Sequence, residues 1–193
     1  MSESNALGVD PKSLPEHHLI RVLLLQHQRV QRLLATVRAG EPEAKQESFD
    51  ALRELLAIHE TAEEQVLRPL SAKAAPEGVA DQRNQEEDEA AHVLAELEKL
   101  DVHSADFVRK FENFEKSVLA HAHAEEQKEF PAVLGAADAD ELVRLGEKLL
   151  EVEGKAPTHP HPSAVGNPTA VKVAGPFAAM LDKARDAFAD RGH

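Results

Sequence analysis

The chain has 193 residues, no cysteine and a formal net charge of -13, which fits one acidic domain of ordinary size with a tail. The lack of cysteine excludes a disulfide scaffold and thiolate metal sites, and the negative charge argues against nucleic acid or an anionic membrane surface as a partner. The start "MSESNALGVDPKSLPEHH" lacks the basic and apolar regions of an export signal, and no run of about 18 apolar residues predicts a membrane span, so we expect a cytoplasmic protein.

The spacing of apolar residues predicts helices along most of the chain. A flexible N-terminus over residues 1–14 precedes four amphipathic segments that together cover residues 15–135. These segments span about 15–39, 42–74, 79–100 and 104–131. Gly40 is placed to end the first segment, and Ser104 can cap the fourth. Short connections force neighbouring helices to run in opposite directions, so we predict an all-α fold, an antiparallel four-helix bundle.

The rest of the chain is predicted to add three pieces to the bundle. An additional shorter helix covers residues 136–154, and a Pro/Gly-rich extended strap covers 155–175. A C-terminal helix over 176–193 repeats apolar residues on one face. We expect that face to dock on the bundle or on a second subunit.

An internal repeat is the most informative feature of the sequence. Seven residues of the second segment recur 62 residues later in the fourth. They are Phe49, Leu52, Leu56, His59, Glu63, Glu64 and Pro69, matched by Phe111, Phe114, Val118, His121, Glu125, Glu126 and Pro131. The first and third segments correspond at an offset of 60, which pairs His27 with Glu87. The chain therefore consists of two similar helix pairs.

Each half carries a histidine and a glutamate four residues apart. Because helical residues at this spacing share a face, His59 with Glu63 and His121 with Glu125 form two inward-facing pairs. Carboxylates in an apolar seam are costly to ionise and repel each other, so a cation is required. Imidazole and carboxylate donors suit iron, manganese or zinc, and bridging carboxylates suit a pair of ions inside a bundle.

These residues resemble a known family. His27, "HETAEE" at 59 and "HAHAEE" at 121, the latter two each followed by a proline, are similar to the hemerythrin-like HHE cation-binding domain over about residues 15–135. The tail, with "APTHPHPS" and "GPFAAMLDKARDAF", is similar to bacterial members of that family. The resemblance implies a non-haem di-iron centre, two iron ions bridged by oxo or hydroxo, with an open position for oxygen, peroxide or nitric oxide. The residues that match the family motif are His27, His59, Glu63, His121 and Glu125.

One position departs from the family pattern. Where the family most often has another histidine, the internal repeat places Glu87. His92 is nearby but lies off the seam, so we prefer Glu87 as the ligand. A third carboxylate favours the ferric state and should lower the reduction potential. This departure favours peroxide, superoxide or nitric oxide chemistry over reversible oxygen carriage.

Several charged residues near these positions have other interpretations. Arg83 is the sole lysine or arginine that we place on the ligand seams, and it could neutralise Glu87 by a salt bridge. Glu64 and Glu126 lie one residue past the seam, so we expect them to be solvated or to contact the ligands without binding metal. Five further histidines are expected on the surface. They are His17, His18, His92, His103 and His193.

Three functional classes are consistent with this sequence. The first is a catalase/peroxidase-like or stress-protective di-iron enzyme that acts on peroxide or nitric oxide, and the second is a carrier or sensor of oxygen, nitric oxide or iron without turnover. The third is a structural bundle with zinc or no metal. The chain lacks the residues that nucleophilic catalysis, a phosphate-binding loop or the HExxH zinc motif would require. We expect a monomer or a weak homo-oligomer whose partner is a small molecule.

Overall fold

The computed structural model describes residues 5–155, which are mainly α-helical, with a short 3-10 helix at Pro11–Ser13 and no strand in that range. The helices are α1 (Leu19–Ala39), α2 (Pro42–Ala62), α3 (Arg68–Ala74), α4 (Val79–Leu97), α5 (Ala105–Ala124), α6 (Phe130–Ala136) and α7 (Ala139–Glu153). The predicted all-α antiparallel bundle is confirmed. None of these helices is both long and apolar enough to cross a membrane. The predicted helix over 176–193 and the strap, from residue 156 onward, lie outside the described residues.

Four long rods form the bundle: α1, α2 with α3, α4, and α5 with α6. α1 packs on α2 and α5, α4 packs on α5 and α3, and α3 also packs on α6. Ser104 caps α5 as predicted, because its hydroxyl oxygen accepts a hydrogen bond from the Phe107 amide at 3.1 Å. Gly40 follows the last residue of α1, also as predicted, whereas α4 ends at Leu97, slightly before the predicted end.

Two rods contain a π-helical turn where the sequence predicts a continuous α-helix. The first turn, Glu63–Leu67, joins α2 to α3, and the second, Glu125–Glu129, joins α5 to α6. Each turn is followed after one residue by a proline, Pro69 or Pro131. A proline ring crowds the carbonyl group four residues before it, and a wider turn relieves this contact. The repeat in sequence is thus also a repeat in backbone structure.

The apolar core is divided into two clusters with a polar layer between them. Along α1, Leu24 belongs to one cluster and Val30 to the other, and His27 lies between them. Along α2, His59 similarly follows Leu56 of one cluster and precedes members of the other. The polar side chains at mid-height are therefore shielded from water by apolar residues above and below.

α7 closes the bundle against the start of α1. Gly146 permits this approach, because a Cβ atom there would overlap the backbone carbonyl of His17. The packing buries His18, which is 3% exposed, so the prediction that His18 lies on the surface is wrong. The described part of the predicted flexible N-terminus, residues 5–14, contacts the bundle through Leu7 and Leu14.

Candidate metal centre

The bundle brings together all six residues predicted as metal ligands. They form two groups in which the donor atoms lie within 4.8 Å of one another. The groups are His27, His59, Glu63 and Glu125, and Glu63, Glu87, His121 and Glu125. Both groups include Glu63 and Glu125, whose side chains are fully buried. The two carboxylates thus lie between the two groups.

The oxygens of Glu125 face opposite halves of the site. Oε2 lies 3.3 Å from Nε2 of His27, and Oε1 lies 3.3 Å from Nε2 of His121. Nε2 of His59 lies 3.6 Å from Oε2 of Glu63. Nε2 of each of these histidines therefore points toward the shared carboxylates.

Each histidine is held at its other nitrogen by a residue of a neighbouring helix. Nδ1 of His59 lies 2.8 Å from Oε1 of Gln26, and the Gln26 amide nitrogen donates to Glu153. Because the Gln26 oxygen can only accept, Nδ1 of His59 carries the hydrogen and Nε2 keeps its lone pair. This is the arrangement by which proteins orient a histidine toward a metal ion.

The other two histidines are oriented by carboxylates. Nδ1 of His27 donates to Oε1 of Glu126 at 2.8 Å, and Glu126 also accepts from the Ala6 amide at 2.5 Å. Glu126 is 3% exposed and contacts the predicted ligand His27 rather than solvent. Nδ1 of His121 donates to Oε2 of Glu86 at 3.0 Å.

Arg83 contacts this outer layer rather than Glu87. Its Nη2 atom donates to Oε1 of Glu86 at 2.8 Å, so the glutamate that it pairs with is Glu86, one residue before Glu87. Through Glu86 the arginine holds the acceptor that orients His121. Arg83 thus reaches the site through a hydrogen-bonded chain.

Several buried polar atoms of the site have no hydrogen-bond partner. Nε2 of His27, Oε1 of Glu63 and Oε2 of Glu125 are inaccessible to solvent and make no hydrogen bond, although the first and the last lie 3.3 Å apart. Unsatisfied buried donors and acceptors are rare and costly in native proteins, and a bound cation would satisfy all three at once. Nitrogen and oxygen donors without sulfur suit iron, so the residues present fit the metal centre that the sequence indicates.

Burial and neighbouring charges set the protonation of these side chains. Burial, reinforced by His27, lowers the pKa of His59 to about 3, which keeps the imidazole neutral as a ligand must be. Burial and the adjacent Glu125 raise the pKa of Glu63 well above its usual value. Burial acts the same way on Glu125, but the imidazoles of His121 and His27 outweigh it and hold the Glu125 pKa well below its usual range.

A buried arginine that the sequence interpretation overlooked lies inside the site. Arg68 is 5% exposed and forms ion pairs with the carboxylates of four glutamates. They are Glu63, Glu87, Glu125 and Glu129. The prediction that Arg83 was the sole cation on the ligand seams is therefore wrong. The π turn is the reason: the Arg68 amide bonds to the Glu63 carbonyl, five residues back, which aligns the two residues.

The structure distinguishes the residues that belong to a donor group from those that only lie near one in sequence. Glu87 lies within the second group, whereas His92 is exposed and its Nδ1 bonds to the Asp88 carbonyl on its own helix. Glu64 is partly buried, and burial together with nearby Glu87 raises the pKa of Glu64. The structure thus brings Glu87 rather than His92 into the site.

A cavity of about 1120 Å³ reaches the donors from one side of the bundle. α4 and α5 provide most of its walls. The cavity is lined by His27, His59, Glu87 and His121 at the site, and by apolar residues such as Val93 and Phe114 farther out. Charged residues such as Lys99 and Lys110 also line its outer part, so a small molecule could approach the inward nitrogens and carboxylates through a passage with both apolar and charged walls.

Four functional side chains escaped the sequence interpretation: Gln26, Glu86, Arg68 and Glu129. A signal for the first two was present, because the offset of 60 that pairs His27 with Glu87 also pairs Gln26 with Glu86. Each of these two residues orients the histidine of a His-x-x-x-Glu pair. Nothing in an α-helical period points to Arg68 or Glu129.

The chain is similar to known proteins over most of its described length. A model of the hemerythrin HHE cation binding domain matches residues 18–133. A hemerythrin-like protein of Schizosaccharomyces pombe is 29% identical over 134 residues, or 68% of this chain, and the match spans 66%, just under two thirds, of that relative. The crystal structure of a hemerythrin HHE cation binding domain-containing protein from Mycobacterium kansasii has a similar fold, with a TM-score of 0.62 and 22% identity over 83% of this chain and 95% of that one.

Proposed function

Because the chain belongs to the hemerythrin HHE cation-binding domain family, we propose that its bundle holds a non-haem di-iron centre and decomposes hydrogen peroxide or a related small oxidant. This would be a catalase/peroxidase-like, stress-protective activity. The observation that carries the proposal is the position of Glu125, whose two oxygens face His27 on one side and His121 on the other. A carboxylate so placed can bridge two ions.

The chain's own residues have distinct tasks in this proposal. His27, His59 and His121 bind through Nε2, since each Nδ1 is held by Glu126, Gln26 or Glu86. Glu63 and Glu125, which belong to both donor groups, would hold both ions, and Glu87 would complete the second group. The apolar clusters above and below exclude water, which strengthens the electrostatic interactions inside the site.

A bound pair of iron ions would supply the redox chemistry toward peroxide, dioxygen or nitric oxide. The cavity between α4 and α5 gives such molecules access to that side of the donors. The third carboxylate, Glu87, belongs to the second group. It makes the site more negative than a neutral histidine at the same position would. Its charge supports oxidised iron and therefore favours turnover of an oxidant over reversible oxygen carriage.

Metal analysis and an optical spectrum test the proposed centre. The purified protein should contain two iron ions per chain and show near-ultraviolet bands of oxo-bridged iron. His59→Ala and His121→Ala should each lower the iron content, whereas the exposed His92→Ala should retain it. Unchanged iron content in both site variants would overturn the ligand assignment, and a colourless protein that holds only zinc would overturn the di-iron proposal.

Oxygen release distinguishes turnover from binding alone. Iron-loaded protein mixed with hydrogen peroxide should release oxygen over many turnovers, measured with an oxygen electrode. Protein stripped of iron serves as the control. If the loaded protein binds oxygen or nitric oxide spectroscopically but releases no oxygen from peroxide, the protein is a carrier or sensor instead.

A further inference from the structure

The two halves of the candidate metal centre differ in one pair of contacting residues. The internal repeat pairs His27 with Glu87 at the offset of 60, and Phe130 with Arg68 at the offset of 62. In one half the His27 ring stacks on Phe130, with ring centroids 5.6 Å apart and an interplanar angle of 18°. In the other half Glu87 forms an ion pair with Arg68. A cationic side chain thus replaces an aromatic one in the second half.

The Arg68 guanidinium lies among the donor oxygens of that half. Its Nη2 atom is 2.8 Å from Oε1 of Glu125 and 3.4 Å from Oε2 of Glu63, and it also contacts Oε1 of Glu87. These are the three carboxylates of the second donor group. Glu63 and Glu125 also belong to the first group, but there Arg68 lies 3.4 Å from the Glu63 oxygen that faces His59, whereas its closer contacts are with Glu87 and with the Glu125 oxygen that faces His121. The first group has no carboxylate of its own beyond these two shared ones, and the side chain that corresponds to Arg68 by the repeat is the uncharged Phe130, which stacks on His27. A metal ion in the second group must compete with a built-in positive charge.

Glu129 offers the guanidinium another position. Its Oε1 atom lies 2.5 Å from Nη1 of Arg68, and its buried Oε2 atom has no hydrogen-bond partner. Glu129 belongs to neither donor group and corresponds to Leu67 in the first half. If the guanidinium moves so that Nη2 leaves the donor oxygens and donates to Oε2 of Glu129, both terminal nitrogens bond to the same carboxylate. The arginine therefore keeps a charged partner after the movement.

We propose that Arg68 determines the order of metal binding by occupying the second donor group as an internal cation. A first ion binds at His27, His59, Glu63 and Glu125, and a second binds at the His121 side only when Arg68 moves toward Glu129. This inference rests on the proposed metal centre and adds that its two positions have unequal affinity.

Titration of the metal-free protein with Co²⁺ under argon tests the proposal. Visible absorption of the bound Co²⁺ reports each step, and equilibrium dialysis counts the ions. We expect two steps in the wild type, the second roughly tenfold or more weaker than the first because a neighbouring positive charge opposes it. Arg68→Met should tighten the second step by about the same factor and lower the melting temperature of the metal-free protein. Arg83→Met removes another buried arginine among the described residues. Because Arg83 holds Glu86, which orients His121, this variant should lower the melting temperature and should leave the second step no tighter than in the wild type.

Glu129→Leu provides an independent variant that keeps Arg68. It places at position 129 the same residue type as Leu67, which corresponds to Glu129 in the repeat. It should weaken the second step, since the displaced guanidinium loses its alternative partner. Loss of one negative charge near the ions would also weaken the second step, without any role for Arg68. The double variant Glu129→Leu with Arg68→Met distinguishes the two explanations. In that background the Glu129→Leu effect on the second step should disappear, and its persistence would overturn the proposal.

The symmetric variant Glu87→His with Arg68→Phe should bind two Co²⁺ ions in nearly equal steps. Equal steps in the wild type, or an unchanged second step in Arg68→Met, would overturn the proposed role of Arg68 and leave the metal centre standing. If Arg68→Met does not fold, an unchanged second step in Glu129→Leu would overturn that role in the same way. Absence of Co²⁺ binding in the wild type would overturn this inference together with the proposed function.

Discussion

His59 Nδ1 lies 2.8 Å from Gln26 Oε1, and the amide nitrogen of Gln26 donates to Glu153 of α7. This relay connects the additional helix of the chain to the candidate metal centre, because Glu153 fixes the orientation of the amide and the amide fixes the ring. α7 therefore supports the site although it contributes no residue to either donor group.

Gln26→Leu removes the acceptor while keeping a side chain of similar size. His59 should lose its fixed orientation, and iron affinity should fall by about 10- to 100-fold, the usual range for loss of a residue that orients a ligand. Competition with a chelator measures the affinity. Gln46→Leu, which alters an exposed glutamine of α2 bonded to Asp50, is the control. Equal affinity in Gln26→Leu and the control would contradict the relay.

Glu87→His should raise the reduction potential of the iron-loaded centre. The substitution replaces an anionic donor with a neutral one and so removes stabilisation of the ferric state. Spectroelectrochemistry measures the potential. Glu89→His makes the same substitution at an exposed position of the same helix and should leave the potential unchanged. An equal potential in Glu87→His and wild type would refute this role of the third carboxylate.

Phe130→Ala and Phe107→Ala separate loss of packing from loss of metal. Both rings are fully buried, one in each apolar cluster, so each substitution should lower the free energy of unfolding by about 3–5 kcal/mol. Only Phe130 stacks on His27, and only its removal should also lower the iron content. Chemical denaturation and metal analysis give the two quantities. A similar iron loss in both variants would mean that global stability, not the stacking, holds the metal.

The metal-free protein should lose stability as pH rises above about 7. Burial raises the pKa of Glu60 and Glu63 well above the usual value, and the Glu125 carboxylate, against the effect of burial, does the same for His121. A raised pKa stabilises the folded state fully below the unfolded value, and this stability is lost as pH rises through the folded value. His59, with a pKa near 3, is neutral in both states above pH 7 and does not oppose the trend.

Scanning calorimetry of metal-free and iron-loaded protein in the same buffers checks this pH dependence. The melting temperature of the loaded protein should fall less, because bound cations neutralise the carboxylates. Glu60→Gln removes a buried carboxyl group that belongs to neither donor group, and the metal-free variant should show a shallower fall. Parallel curves for the loaded and metal-free wild type would contradict the expectation.

The bundle and the six inward donors followed from the sequence because they depend on local rules. Apolar residues at helical spacing define which face is buried, and His59 and Glu63 lie on that face by the same count. The Ser104 cap is likewise a local hydrogen bond. The internal repeat then located the second half of the site, including Glu87, without reference to three-dimensional structure.

The remaining features depend on departures from helical regularity and on contacts across helices. Arg68 lies five residues after Glu63, a spacing that an α-helix directs away from the shared face and a π turn directs toward it. His18 is buried because α7 packs over it, which the pattern of α1 alone does not indicate. Glu126 holds His27 across 99 positions of sequence. Such long-range partners have no periodic signal.

The geometry of the site depends on the number of residues in the two π turns. Each inserts one residue more than an α-helical turn would contain, so a one-residue deletion in either turn would rotate the following helix by about 100°. Such a deletion would move Arg68 or Phe130 out of line with Glu63 or Glu125. The rotational phase of α3 and α6 is thus set by backbone insertions, and substitutions that preserve every donor could still dismantle the centre by restoring a regular helix.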